Sequence, residues 1–97
     1  MKINYKTIIG KTIIVGITYL SKDGVLLEQT QFFGTIEHAD KKKGIAIKKA
    51  NGGETFNLPP DIRSIRIAQP GEYKFWSTGE IIVNPDLLTT WTVNKST

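Results

Sequence analysis

The sequence predicts an all-β protein: a small barrel of five bent antiparallel strands, followed by a β-hairpin extension. Ile, Val, Thr, Tyr, Phe and Trp recur in short runs, and Gly, Pro, Asn and Asp separate those runs at short intervals. No amphipathic helix of useful length interrupts this pattern. The 97 residues fit a single domain, with a core barrel at about 8–68 and an extension at about 69–93.

Strands one and two are predicted to form a long hairpin. Residues 3–9 fit either one helical turn or a strand, and Gly10 ends this segment. Strand one, residues 11–20, has apolar side chains on both faces, so we expect one face to meet the core and the other a neighbour or an extension. Strand two follows an Asp-Gly turn and covers residues 25–39. Gly34 inside it predicts a bend or bulge, which a small closed barrel needs.

Three shorter strands complete the predicted barrel. Strand three covers residues 45–50, and an Asn-Gly-Gly turn leads to strand four at residues 54–58. Two prolines follow, which have no N–H to donate to a central strand, so we expect one tight helical turn over residues 60–63. Strand five covers residues 64–68, with Arg66 facing outward. The alternation in strands three and five places four isoleucines in the core: Ile45, Ile47, Ile65 and Ile67.

The extension is predicted to contain a hairpin and a last strand. Strands at residues 73–76 and 80–83 flank a Ser-Thr-Gly turn, and residues 89–93 alternate as a final strand. Each of the two tryptophans, Trp76 and Trp91, brings a large apolar surface. They either cover the open end of the barrel or form an exposed interface.

Composition excludes several classes of site. The chain has no cysteine, which rules out a disulfide scaffold, a thiolate zinc site and a cysteine nucleophile. His38 is the single histidine, so a metal site would need carboxylates or a second subunit, and no nucleophile stands beside His38. No glycine-rich phosphate loop precedes a helix. We therefore expect neither an enzyme nor a cofactor.

The N-terminal segment does not have the pattern of a signal peptide. Lys2, Lys6 and Lys11 interrupt its apolar residues, which come in short runs. Elsewhere, no apolar stretch approaches the ~20 residues of a membrane-spanning helix. We therefore expect a cytoplasmic protein with no membrane partner.

Basic residues are the candidate binding site. The net charge is +4, and five lysines fall between positions 41 and 49, which favours an anionic partner. Lysines on one rim could neutralise phosphates, with arginines extending that rim. The alternative is that the lysines keep a hairpin hydrated and the arginines pair with acids such as Asp61. The candidate anion- or nucleic-acid-binding residues are Lys41, Lys42, Lys43, Lys48, Lys49, Arg63 and Arg66.

Three stretches carry a resemblance to a known family: IIGKTIIV at residues 8–15, GTIEHAD at residues 34–40 and GIAI at residues 44–47. With these, residues 8–67 resemble the Sm-like (LSm) proteins, which are small SH3-like barrels. Asp40 matches an aspartate of the family's strand-two pattern, whereas a glycine stands where the family has the asparagine of a nucleotide pocket. The resemblance implies a barrel whose edge strands join subunits into a ring, and a protein that binds RNA.

These observations predict a non-enzymatic small β-barrel module that works by binding or assembly, its partner unspecified. We expect a homo-oligomer, because an isolated barrel of this kind leaves strand edges that a second copy can cover. The alternative function is Sm-like RNA binding through a basic rim. The partner is accordingly either a protein or a nucleic acid.

Overall fold

The described part of the chain is all-β, as predicted. The computed structural model describes residues 1–76 and 78–95, which form one six-stranded and one two-stranded sheet and contain no helix. Ser77, the first residue of the predicted Ser-Thr-Gly turn, lies outside the described residues. The strands are β1 (Thr12–Leu20), β2 (Leu26–Asp40), β3 (Gly44–Lys49), β4 (Thr55–Leu58), β5 (Arg66–Ile67), β6 (Glu72–Lys74), β7 (Ile81–Val83) and β8 (Leu87–Asn94).

The larger sheet is open, with the strand order β4-β3-β2-β1-β8-β5. All neighbours in it are antiparallel except β1 and β8, which run parallel from the Ile13–Leu87 pair to the Leu20–Asn94 pair. Within the described chain, the edge strands β4 and β5 do not pair with each other. The prediction of a closed barrel of five strands is therefore wrong: the described residues form eight strands, and β8 occupies the position beside β1.

The predicted fifth strand is shorter than expected and lies at the sheet edge. Arg66–Ile67 is its full extent. Ile65 is buried as predicted, but Ile67 is 53% exposed, so the prediction that Ile67 lies in the core is wrong. The helical turn predicted after the two prolines is absent from these described residues. Instead, the Asp61 carboxylate accepts the backbone N–H of Arg63 at 2.9 Å, and such local bonds compete with helix.

Strand β1 is buried on both faces, as its sequence predicts. On one face, Ile13 and Val15 are fully buried in the main core. On the other, Ile14 packs with Phe75 and Ile82, so the predicted hairpin extension, β6–β7, covers this face. The other buried residues of the main core are Ile8, Ile17, Ile36, Ala39, Ile45, Ile47, Leu58, Ile65 and Leu87.

Gly34 lets β2 and β3 approach closely. The register shift in the β2–β3 ladder lies between Ile36 and His38, so the irregularity is near the glycine but not at it. A β-carbon on Gly34 would overlap the carbonyl oxygen of Lys48 and lie 2.8 Å from Cγ2 of Ile47. Any side chain at this position would therefore push the two strands apart.

We expect Gly34→Ala to lower the free energy of unfolding by about 1–3 kcal/mol, because the added methyl group has to displace backbone. Gly16 in β1 is the matched control. A β-carbon there would meet Thr90 Cγ2 at 3.7 Å, an ordinary contact, so Gly16→Ala should preserve stability. Urea denaturation followed by circular dichroism measures both. Equal stability of the two variants would contradict the close approach at Gly34.

Candidate binding surfaces

The predicted basic residues lie in three separate places. Residues 41–43 are the β2–β3 turn, and residues 48–49 end β3 at its far end. At about 3.3 Å per residue, the two ends of this strand are roughly 16 Å apart. Arg63 precedes β5 and Arg66 lies in it, and the sheet places β2, β1 and β8 between β5 and β3. One chain therefore does not gather these side chains into one rim.

The β2–β3 turn presents exposed lysines around a carboxylate that holds their backbone. Asp40 accepts the N–H of Lys43 and, at 2.8 Å, that of Lys42. These two backbone hydrogen bonds lower the pKa of Asp40 below its usual value, and the bond from Lys43 has the largest effect. The side chain of His38, at 3.2 Å, lowers this pKa further. Within the part of the chain that the structure describes, no carboxylate lies within ion-pair distance of the turn's ammonium groups. Three positive charges therefore remain available to an anionic partner.

The two lysines at the end of β3 have different surroundings. Lys49 is half-buried, and its Nζ lies 4.9 Å from the ring centroid of Phe32 and 5.5 Å from that of Phe56. A cation over aromatic faces is attracted to them, so Lys49 contributes to packing at the rim of the main core. Lys48 points to the opposite face of the strand and is exposed.

Arg63 forms an ion pair with Asp61. The guanidinium donates from Nε to Oδ1 at 3.0 Å and from Nη2 to Oδ2 at 2.8 Å, a two-pronged geometry. The side-chain bond from Arg63 lowers the pKa of Asp61 to about 2, and Asp61 in turn raises the pKa of Arg63. For Arg63, the alternative interpretation of pairing with a nearby acid is therefore confirmed. Arg66 is exposed on the edge strand.

A projecting arm is a surface that the sequence reasoning missed. In the described chain, β3 pairs with β2 from Gly34 onward, and β5 covers the first two residues of β8. The remaining parts of β1, β2 and β8 continue as a three-stranded arm, defined here as residues 16–31 and 90–94. The polar run Glu-Gln-Thr-Gln at residues 28–31 is the signal for it, because a strand over a core alternates polar with apolar residues.

The arm has an aliphatic tip and unpaired strand edges. Val25, Leu26 and Leu27 follow its turn, with Leu26 56% and Leu27 49% exposed. Within the described residues, no strand pairs with the outer edge of β2 over residues 26–31, or with that of β8 over residues 90–94. An unpaired edge offers N–H and C=O groups to another chain, and exposed apolar side chains beside it favour contact.

A small apolar groove lies where the arm meets β4. Tyr19, Phe56 and Trp91 are among the residues that line this cavity of about 130 Å³. The Nζ of Lys95 lies 4.9 Å from the ring centroid of Tyr19, so a positive charge borders the groove. Trp91 packs against the main core, and its buried indole N–H has no hydrogen-bond partner in the described structure. Trp91 thus covers the core, whereas Trp76 is exposed.

Three comparisons with known proteins found no match: no family model fits the chain, and no curated protein or solved structure is significantly similar to it. The Sm-like resemblance therefore stays a prediction. None of the described residues belongs to a helix that is long and apolar enough to cross a membrane. Those residues also contain no group of three or more His, Asp or Glu side chains that could hold a metal ion.

The ion pair of Asp61 gives a prediction in solution. We expect the Asp61 carboxyl to titrate with a pKa of about 2, and Arg63→Gln to return this pKa toward the ordinary 3.8. Because the folded-state pKa is the lower one, the pair stabilises the fold above the ordinary pKa. That contribution is lost as the pH falls from 3.8 toward about 2.

Carboxyl ¹³C NMR titration of the wild type and of Arg63→Gln measures this pKa directly. Lys48→Gln is the matched control, since it also removes one positive charge but leaves the ion pair of Asp61 in place. An Asp61 pKa that Lys48→Gln moves as much as Arg63→Gln does would contradict a specific pair.

Proposed function

We propose that this protein is a non-enzymatic binding and assembly module whose arm associates with a second copy of the chain. The observation that carries the proposal is that exposed Leu26 and Leu27 lie on the same short segment as an unpaired strand edge. A second copy would satisfy both features at once. The backbone groups of the edge would pair, and the leucine side chains would leave water.

The edge of β2 in the arm also lacks the features that usually prevent association. Proteins protect strand edges with lysine, proline, bulges or covering loops. Residues 26–31 contain neither lysine nor proline, and Glu28 is their one charged residue. The bulge in the β1–β2 hairpin lies at its tip, between Tyr19 and Leu20, and leaves the rest of the ladder regular. This edge is therefore available to a partner strand.

Two modes of self-association fit the arm. Two β2 edges can pair antiparallel about a two-fold axis, which gives a closed dimer. The β2 edge of one copy can instead meet the β8 edge of the next, which gives a ring or a filament. The mass of the particle distinguishes the two modes, and both need the arm.

A relation to the Sm-like, SH3-like barrels is part of this proposal. It is supported by the places of the three matching stretches, which fall in and just before β1, in the second half of β2 and in β3. These strands are consecutive antiparallel neighbours in the sheet. By the resemblance, subunits join through strand edges, and the assembly proposed here does so through the arm.

Light scattering coupled to size exclusion tests the assembly. We expect the wild type to elute at a multiple of the 10.8 kDa chain mass, and the double variant Leu26→Lys, Leu27→Glu at 10.8 kDa, because the charges would be buried in the contact. Ile81→Lys with Val83→Glu is the matched control, since these two residues are also exposed on a strand but lie outside the arm. A wild type that stays at 10.8 kDa over all concentrations would sink the proposal.

A second function, binding of single-stranded RNA, is favoured by the lysine turn at residues 41–43. Its three ammonium groups have no acidic partner within ion-pair distance in the described chain. One copy presents one such turn, so the affinity would grow as assembly brings several turns onto one RNA strand. The apolar groove supplies rings at Tyr19 and Trp91 for base stacking, next to Lys95.

Fluorescence anisotropy with oligouridine tests RNA binding. We expect the triple variant Lys41→Gln, Lys42→Gln, Lys43→Gln to bind more weakly and to reduce the slope of log K against log salt by up to about 2, because each lysine releases counterions from the single strand. The matched control replaces the exposed Lys2, Lys6 and Lys74 by Gln, with the same change of net charge. Equal losses in both triple variants would show non-specific attraction and refute a site at the turn.

A further inference from the structure

The outer face of the arm contains a trough of uncharged polar side chains. Cross-strand pairing sets Gln31 beside Gly16 and Gln29 beside Thr18, and Gly16 pairs with Thr90 on its other side. Two adjoining cavities of about 230 and 160 Å³ open here, and they share Gly16, Gln31 and Thr90 in their walls. The trough begins where the β6–β7 hairpin stops covering the sheet.

Gly16 forms the floor of this trough, although the fold does not need a glycine there. Its φ is not in the left-handed region, and a β-carbon would meet a single atom within 4 Å, Thr90 Cγ2 at 3.7 Å. A glycine in a central strand has no side chain to pack, and it loses more backbone conformational freedom on folding than other residues do. What the missing side chain provides is a recess between the side chains of Gln31 and Thr90.

The polar groups around the recess are incompletely paired. The buried Oε1 of Gln31 has no hydrogen-bond partner in the described structure, and a buried acceptor without a partner is costly. Gln29 Nε2 donates to Thr18 Oγ1 at 3.3 Å, which leaves its own amide oxygen and the threonine hydroxyl hydrogen available. The trough thus offers both donors and acceptors to a ligand.

An exposed tryptophan borders the trough. Trp76 follows Phe75, whose ring packs on the sheet, and is 65% exposed in the wall of the smaller cavity. An exposed indole presents a flat apolar face together with one N–H donor. Such a face fits a ligand that has both C–H and hydroxyl surfaces.

Charge is missing from the trough. Of the described residues that line the two cavities, Lys74 is the one with a charged side chain. Side chains alternate in direction along β6 and the residue that follows it. Because the rings of Tyr73 and Phe75 pack against the sheet, the ammonium group of Lys74 between them points away from the trough. An anionic ligand would find no counter-charge in the trough, whereas an uncharged ligand needs none.

We propose that this trough is a binding site for a short neutral oligosaccharide. A sugar ring lies on the indole of Trp76 with its C–H face, and its hydroxyl groups exchange hydrogen bonds with Gln31, Gln29 and Thr18. On binding, the Gln31 side chain rotates so that one hydroxyl donates to its Oε1, which is buried and unpaired in the free chain, and the recess over Gly16 admits the ring edge. Neither tip leucine lines the two cavities, so the site does not depend on self-association.

NMR titration of ¹⁵N-labelled protein with four probes tests the site: maltohexaose, cellohexaose, mannohexaose and chitohexaose. We expect saturable shifts with at least one probe, at the amides of Gly16 and Gln31 and at the indole N–H of Trp76. Added salt should leave the affinity unchanged, because no charge takes part. No saturable shift with any probe, or shifts confined to residues 41–43, would overturn the proposal.

Variants locate the binding. Trp76→Ala and Gln31→Ala should each weaken binding by roughly threefold to tenfold, because the first removes the aromatic face and the second removes hydrogen-bonding groups. Gly16→Val should abolish binding by filling the recess while suiting a strand. Asn57→Ala is the matched control, an exposed amide on β4 that lines neither cavity. Unchanged affinity in both Trp76→Ala and Gln31→Ala would overturn the site.

The monomeric tip variant separates this inference from the proposed assembly. Leu26→Lys with Leu27→Glu should still bind the oligosaccharide with wild-type affinity, since neither residue lines the trough. Loss of binding in that variant, with its fold intact, would show that the ligand site belongs to the arm contact and would overturn an independent trough.

Discussion

The parallel ladder between β1 and β8 is the interaction on which the rest of this structure depends. It joins two segments that are far apart in the chain, over eight consecutive residue pairs from Ile13–Leu87 to Leu20–Asn94. Its start is held by a reciprocal bond: the Asp86 carboxylate accepts the N–H and hydroxyl of Thr12, and the Thr12 hydroxyl accepts the N–H of Asp86. Because β8 lies on one side of β1 and β2 on the other, β1 becomes the centre of the sheet and is buried on both faces.

The same ladder keeps the sheet open and creates its exposed surfaces. With β8 beside β1, the short β5 can add to the sheet only outside β8, and β4 remains the opposite edge. Since β8 is eight residues long and β5 only two, most of β8 runs on with β1 and β2 beyond the end of β5. The arm, its aliphatic tip and the trough on its outer face all follow from this difference in strand length.

The surfaces differ in the chemistry that they offer. The lysine turn has positive charges without an acidic partner in the described chain. The tip of the arm has aliphatic side chains beside an unpaired backbone, and the trough has amides, hydroxyls and an exposed indole. Each physical type suits one class of partner. Three experiments therefore separate the functions: salt dependence tests RNA binding, apolar-to-charged substitution tests self-association, and titration with uncharged ligands tests the trough.

Local patterns in the sequence were sufficient for most of the secondary structure. Alternating side chains and turn residues act over a few positions. They were enough to predict the limits of the first four strands, the β6–β7 hairpin and the inward direction of Ile45 and Ile47. The pairing of Arg63 with Asp61, two residues apart, was also readable. The sequence also indicated a structural role for Gly34. The predicted role was a bend or bulge, whereas the glycine lets β2 approach β3 closely.

Which strands become neighbours was decided by tertiary structure. Nothing within residues 87–94 indicates a parallel partner that precedes them by more than seventy positions, because such a contact depends on how both faces of β1 are covered. For the same reason, the sequence pattern predicted that Ile67 lies in the core and that the two lysine groups form one rim. It did not indicate the recess at Gly16. Period and turn chemistry determined the strands themselves. The open sheet, the separation of the lysines along β3 and the recess at Gly16 arose only when those strands packed.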